Sequence, residues 1–257
     1  MEDNTKKRLS GKDYRRLYSD LAWMWPIVSP AEDYVEETEF LAKLIKENSK
    51  IEVETLLHLG CGGGHNDYTF KKHFKVTGVD IRENMLKLAR KLNSEVTYYH
   101  GDMCDMKLRG CFDAVTILDS INYLRTVEDI YRAFATAHQH LRPGGVFLTF
   151  MEQITGLSEH SKTRCSTHSK GNVEITFIEN YYDPDPDDTS CEATFVYLVR
   201  RGGELEIHTD RHLCGIFKLE TWIGLLEEIG FIVKRTKFRL PTFEEYECFP
   251  ILICIKP

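Results

Sequence analysis

The chain has 257 residues, 42% of them hydrophobic and 28% charged, with a formal net charge of −7. That length suits one domain with an elaboration, or two closely joined ones. The acidic balance argues against a nucleic-acid partner, which needs a concentrated basic face. Eight scattered cysteines with no CxxC pair read as reduced thiols filling a core. With no apolar leader and no long apolar run, the expectation is a cytoplasmic protein without membrane contact.

Residues 1 to about 12 are polar. "DYRRLYSDLAWMWPIVSP" then crowds two tyrosines and two tryptophans into a short stretch. "SPAEDYVEETEFLAKLIKENS" opens like a helix, with Ser29 as N-cap, Pro30 in the first turn and Glu32 in the capping-box position. Its apolar stripe is Tyr34, Leu41, Leu44 and Ile45. From residue 55 strands alternate with helices. "TLLHLG" and "VTGVDI" are strands, and "ENMLKLARKLN" is a helix with Met85, Leu88, Ala89 and Leu92 on one face. "VTYYHGD" and "FDAVTIL" are further strands. Residues 127–141 are helical, and "RPGG" turns into "VFLTFM". This alternation implies parallel βαβ units with ligands at the strands' carboxyl ends.

Near residue 152 the rhythm changes. "NVEITFIENYY", "CEATFVYLVRR" and "ELEIHTDRHL" read as strands with no helix between them, and Gly202-Gly203 makes a hairpin turn. The "DPDPDD" run is a proline-stiffened loop. A helix returns at "KLETWIGLLEEIG", stopped by Gly230. Two strands, "FIVKRTKFRL" and "CFPILICIKP", close the chain around a glutamate-rich loop. The expected organisation is an N-terminal helical cap (1–50), a Rossmann-like core (51–154), an antiparallel β lid (155–216), and a helix with hairpin (217–257).

"LLHLGCGGGHNDY" (56–68) runs a strand into four glycines in five positions. Such a loop offers free backbone N–H groups and close backbone approach to a ligand. The same would serve a nicotinamide dinucleotide, but G-x-G-x-x-G wants glycine at 65, where the chain has His65. Asp80 ends the second strand about twenty residues on, where an acid accepts ribose hydroxyls. "GDM" after the third strand puts Asp102 where a carboxylate can take an adenine amino group.

Together with "FDAVTILDSINYL" and "HLRPGGVFLTF", these motifs resemble the class I S-adenosylmethionine-dependent methyltransferases over about residues 55–151. The resemblance implies an α/β, Rossmann-like seven-stranded sheet with a C-terminal antiparallel hairpin. It implies S-adenosyl-L-methionine as cofactor, with S-adenosyl-L-homocysteine as product. It also implies that Gly60, Cys61, Gly62 and Gly64 line the methionine and ribose, and that Asp80 holds the ribose. Ile81 and Met85 would flank the adenine, Asp102 and Met103 border its edge, and Leu118 and Asp119 lie beside the amino-acid moiety.

The acceptor is less legible, because an activated methyl donor demands little beyond alignment and exclusion of water. "LDSINY" lacks the Asp/Asn-Pro-Pro-aromatic pattern of nucleic-acid amino methyltransferases. In "ELEIHTDRHLCGIF" alternation puts His208, Asp210 and His212 on one face, with Leu205, Ile207 and Leu213 on the other. A histidine–aspartate pair there would orient a substrate or take its proton. His-x-Asp-x-His without a further ligand makes no metal site. "LYSDL", "GDM", "SINYL" and "HLCGIFKLETW" are similar to small-molecule N-methyltransferases that dimethylate amino groups of nucleotide-linked sugars, and more loosely to glycine/sarcosine methyltransferases. That similarity implies Tyr18, Asp119, Tyr123 and His208 or His212 around a small-molecule acceptor, in a monomer or homodimer. O-methylation of a carboxylate or phenol, and a non-catalytic cofactor-binding module, stay open.

Overall fold

The computed structural model describes residues 12–150, 161–185, 187–238 and 249–257. The polar N-terminal residues to 11, the first residues of the expected lid (155–160) and the glutamate-rich loop (239–248) lie outside them.

A seven-stranded sheet forms the centre. It is built from β1 (Thr55–Leu59), β2 (Lys75–Asp80), β3 (Thr97–His100), β4 (Phe112–Ile117), β5 (Leu141–Phe150), β10 (Ile232–Phe238) and β11 (Phe249–Ile255), in the order β10-β11-β5-β4-β1-β2-β3. β1 to β5 run parallel, and β11 is antiparallel to both its neighbours. Both sheet faces are covered, which is why β1, β4 and β5 read as nearly continuous apolar runs. Leu56, Ala114 and Leu148 pack toward α2 (Val35–Asn48) and α4 (Glu83–Leu92). Their neighbours Leu57, Val115 and Phe147 pack toward α5 (Val127–His140) and α6 (Leu219–Ile229). Strand order reverses between β1 and β4, so a crevice opens at their carboxyl ends.

A four-stranded antiparallel sheet, β6 (Ser161–Lys170), β7 (Val173–Tyr182), β8 (Ser190–Arg201) and β9 (Glu204–Gly215), stands beside it in chain order. Gly202 and Gly203 form the two-residue β8–β9 turn at φ +57° and +94°, a conformation glycine adopts without steric cost. The inner face of this sheet buries Ile175, Phe177, Phe195 and Tyr197 against Leu17, Leu21 and Met24. The aromatic N-terminal stretch is therefore the wedge between the two sheets. It forms 3-10 turns at Arg16–Tyr18 and Ala22–Met24 and the short helix α1 (Trp25–Val28).

Two local expectations differ. Ser29 caps no backbone; a 3-10 turn over Ala31–Tyr34 leads into α2, and the Ser29 hydroxyl meets the Tyr34 hydroxyl at 2.6 Å. Strand β6, "SKTRCSTHSK", has no apolar alternation, because it is a mostly exposed edge strand that pairs with β7 and is touched by α1. On α4 the buried side chains are Met85, Leu86 and Ala89, so the packed face is turned by Leu86. Among the described residues no helix is long and apolar enough to cross a membrane.

Candidate cofactor and acceptor site

At the crevice lies a pocket of about 330 Å³. Every residue assigned above to the cofactor borders it except Gly64. The glycine loop is organised differently from the expectation. Its amides are mostly turned inward: Gly60 and Cys61 donate to the Val79 carbonyl, Gly62 to Asp80 Oδ2 at 2.8 Å, and Gly64 to the Cys61 carbonyl. The loop thus presents a shaped surface and carboxylates more than a row of free N–H groups.

The glycines serve separate needs. A Cβ at Gly60 would collide with the Ser120 hydroxyl at 2.1 Å. At Gly64, φ +75°, it would meet the Asn93 amide and the Tyr98 hydroxyl at 2.7 Å each. Those two groups belong to a buried network: Asn93 donates to the Gly64 carbonyl, Tyr98 donates to Asp67, and Asp67 pairs with His58. Gly64 is thus required by the protein behind the loop, not by a ligand. At Gly62, φ +53°, the nearest atom is Met85 Cε at 3.8 Å, so the open space there is the pocket itself. We expect Gly64→Ala to cost about 2 kcal/mol or more in denaturant unfolding. Gly62→Ala should cost about 1 kcal/mol for its backbone conformation and mainly weaken nucleoside binding. Equal stability losses in both would contradict this division.

Asp80 is 8% exposed and accepts from the Gly62 N–H and, at 2.7 Å, the Arg82 N–H. It ties the glycine loop to the turn after β2. Burial pushes its carboxyl up, against the pull of those two amides. Asp102 accepts from the Cys104 N–H at 2.8 Å, which fixes the turn after β3. Ile81, 51% exposed although apolar, stands at the pocket edge, as a flat aromatic base would require. The cradle at Gly62, the carboxylate of Asp80 and the apolar edge fit a nucleoside.

His65 departs from the dinucleotide pattern for a visible reason. Its Nδ1 accepts the Trp25 indole N–H at 2.8 Å, and burial lowers its pKa to about 4. A neutral imidazole therefore pins the aromatic wedge to the cofactor loop. Sequence reasoning noted this histidine only as an obstacle.

A second, larger cavity of about 900 Å³ lies between the two sheets. Tyr18, Tyr123 and Asp119 border both it and the cofactor pocket. Tyr18 and Tyr123 hydroxyls are 2.8 Å apart, Tyr123 is 2.8 Å from His212 Nδ1, and His212 Nε2 is 2.7 Å from Asp210 Oδ2. Burial opposes ionisation of Asp210, but His212 and backbone amides outweigh it, so its carboxyl titrates below the ordinary range. With Asp210 anionic, His212 Nε2–H donates to it, and the Tyr123 hydroxyl links His212 Nδ1 to the Tyr18 hydroxyl. Burial raises both phenols well above their usual range, so they are neutral. Asp210 also accepts the Leu17 N–H at 2.7 Å, which stitches the wedge to β9.

Asp119 opens into the cavity yet is walled by protein. Burial and the neighbouring Glu37 raise its pKa to about 7. His208 is not brought to the site. It lies on the same face of β9 as His212, but four residues nearer the hairpin tip, roughly 14 Å away, where it meets Glu206 at 3.2 Å. The expected polar face of β9 is thus split, Asp210 and His212 being buried while Leu205 and Ile207 on the other face are exposed. Among the described residues no group of three metal-binding side chains occurs.

A parallel core in this strand order, an antiparallel hairpin at its edge and a nucleoside pocket at the switch point define the class I methyltransferase architecture. Residues 57–149 match the methyltransferase domain family. Residues 57–149 are thus a methyltransferase domain, and the chain resembles the class I S-adenosylmethionine-dependent methyltransferases, the nucleotide-sugar N,N-dimethyltransferases among them. It is 38% identical over 116 residues to the dTDP-3-amino-3,4,6-trideoxy-alpha-D-glucopyranose N,N-dimethyltransferase of Streptomyces venezuelae. That alignment covers 44% of this chain and 48% of the relative, so it spans about half of that enzyme. The fold matches Streptomyces venezuelae DesVI at a TM-score of 0.77 and 22% identity, covering 96% of this chain and all of that one. It matches S-adenosylmethionine-bound CalS10, an amino pentose methyltransferase from Micromonospora echinaspora, at 0.75 and 20%, covering 96% and 98%. S-adenosylmethionine is accordingly the cofactor that the pocket serves.

Proposed function

We propose that this protein transfers a methyl group from S-adenosylmethionine to an amine nitrogen of a small molecule held between the two sheets. The observation that carries this reading is the shared wall: Tyr18, Tyr123 and Asp119 face both the cofactor pocket and the larger cavity. The sugar N,N-dimethyltransferase relatives support nitrogen as the acceptor atom.

When bound, S-adenosylmethionine would supply a sulfonium methyl open to in-line attack by a nitrogen lone pair, the N–C bond forming as the C–S bond breaks and S-adenosylhomocysteine leaves as the sulfide. The chain's own residues then have three tasks. Asp80, Ile81 and Gly62 hold and shape the nucleoside end. Tyr18 and Tyr123, fixed by His212 and Asp210, form a rigid wall that aligns the nucleophile and excludes water. Asp119, near neutrality in its titration, attracts an acceptor ammonium and takes its proton.

O-methylation is the second reading, favoured by the Tyr18–Tyr123–His212–Asp210 chain, which offers a route for a hydroxyl proton. Tyr123→Phe separates the two. For an amine acceptor we expect kcat/KM to fall less than about tenfold, because only wall rigidity is lost. For a hydroxyl acceptor the fall should exceed about a hundredfold, as for loss of a proton route. Labelled-methyl transfer across amines, amino sugars, phenols and carboxylates, with products identified by mass, tests the reading itself. Label on oxygen alone would overturn it.

A further inference from the structure

The charge of the larger cavity bears on what enters it. Among the described residues six carboxylates border it: Asp33, Glu37, Asp119, Glu179, Asp187 and Asp188. Among the described lining residues, Lys218 and His168 are the only side chains able to carry positive charge. Arg164, one step outside the lining, faces Glu179 across the β6–β7 ladder and is engaged with it. The acids come from different elements: the turn into α2, α2 itself, the turn after β4, strand β7 and the loop before β8. No single exposed helix face or solvated loop accounts for their convergence. Between them stand aromatic rings, including Tyr18, Trp25 and Phe195, whose faces attract cations. A further observation is independent of charge. Trp222 is 2% exposed and borders the cavity, and its indole N–H has no hydrogen-bond partner among the described residues. A buried donor of this kind calls for an oxygen acceptor.

We propose that the acceptor is a hydroxylated small molecule carrying at least two ammonium groups and no phosphate, such as an aminocyclitol or a free amino sugar. The inference rests on the amine-methylating reading above and narrows its substrate. It departs from what the names of the sugar-enzyme relatives suggest, since their acceptors carry a dTDP group. A diphosphate placed here would meet carboxylates on several sides, and juxtaposed like charges select against such a ligand. Cationic substituents of an aminocyclitol would instead be attracted by this acidic lining. Burial raises the carboxyls of Asp119 and Glu179, and for Asp119 the neighbouring Glu37 adds to the rise.

The test is calorimetric titration of the intact protein, loaded with S-adenosylhomocysteine, with 2-deoxystreptamine and separately with dTDP and a dTDP-linked amino sugar. Saturable binding of 2-deoxystreptamine is expected, weakened at least about tenfold by Glu37→Gln and again by raising salt from about 50 to 500 mM. No saturable binding is expected for dTDP. Tighter binding of dTDP or its amino sugar than of 2-deoxystreptamine would overturn the proposal, as would failure of 2-deoxystreptamine to bind. A loss with Glu37→Gln that salt does not mimic would also overturn it. The broader reading is judged separately. Methyl transfer to a dTDP-linked amine would uphold nitrogen methylation while refuting this acceptor class. Transfer only to oxygen would refute nitrogen methylation whatever the titrations show.

Discussion

Asp119→Asn should lower kcat/KM by about 10²- to 10⁴-fold, the range for loss of a proton-transfer group, with S-adenosylhomocysteine affinity changed far less. The reason is position and protonation. Asp119 stands where the two cavities meet, and its pKa in the free enzyme is about 7 because burial and Glu37 disfavour its charge. Below that pH the group is protonated, so it neither attracts an ammonium nor accepts its proton. Above it, both capacities are present. The kcat/KM of the unaltered protein should therefore rise with pH through about 7 and level off, since this ratio reports the free enzyme's ionisations. In Asp119→Asn that inflection should vanish while any inflection belonging to the acceptor amine persists. An unchanged profile in the variant would remove Asp119 from the proton path.

Asp80→Ala should weaken S-adenosylhomocysteine binding by about a hundredfold or more. Asp80 accepts the Gly62 and Arg82 amides from the two turns that frame the pocket. Each hydrogen bond that a ligand hydroxyl makes to a charged acceptor contributes about 1.5–3 kcal/mol, and about 3 kcal/mol corresponds to roughly a hundredfold in affinity. The carboxylate also faces the place assigned to the ribose hydroxyls. The fold should suffer less, by about 1–2 kcal/mol, because both amides lie at the pocket and can be hydrated once the acid is gone. Titration of the folded variant decides the matter, and unchanged affinity would refute the ribose assignment.

How much of this was legible in the sequence depended on how local the signal was. β1, β2, β4 and β5 were readable because parallel strands buried on both faces leave continuous apolar runs. Asp80 was readable from its distance after the glycine loop. β6 was not, because an edge strand with neither face buried carries no periodic signal. The face of β9 was assigned correctly by alternation, yet alternation says nothing about how far along a strand the site reaches. His212 therefore lies behind Tyr123 in its hydrogen-bonded chain, lining neither cavity, and His208 lies outside that chain. Gly64 shows the same limit: its requirement for glycine comes from Asn93 and Tyr98, which are distant in sequence.

The sequence by itself pointed to the class of the core and, through its resemblance to the class I methyltransferases, to the cofactor and to residues that border the pocket, because the motifs carrying that resemblance sit at strand ends within residues 55–151. Only the tertiary structure decided what the N-terminal aromatics do, that Tyr18, Tyr123, His212 and Asp210 form one hydrogen-bonded chain, and that six carboxylates converge on a single cavity. Those relations join residues up to about two hundred positions apart. Side chains so far apart share no local pattern, and only the packing of the wedge between the two sheets brings them within hydrogen-bonding and Coulombic reach.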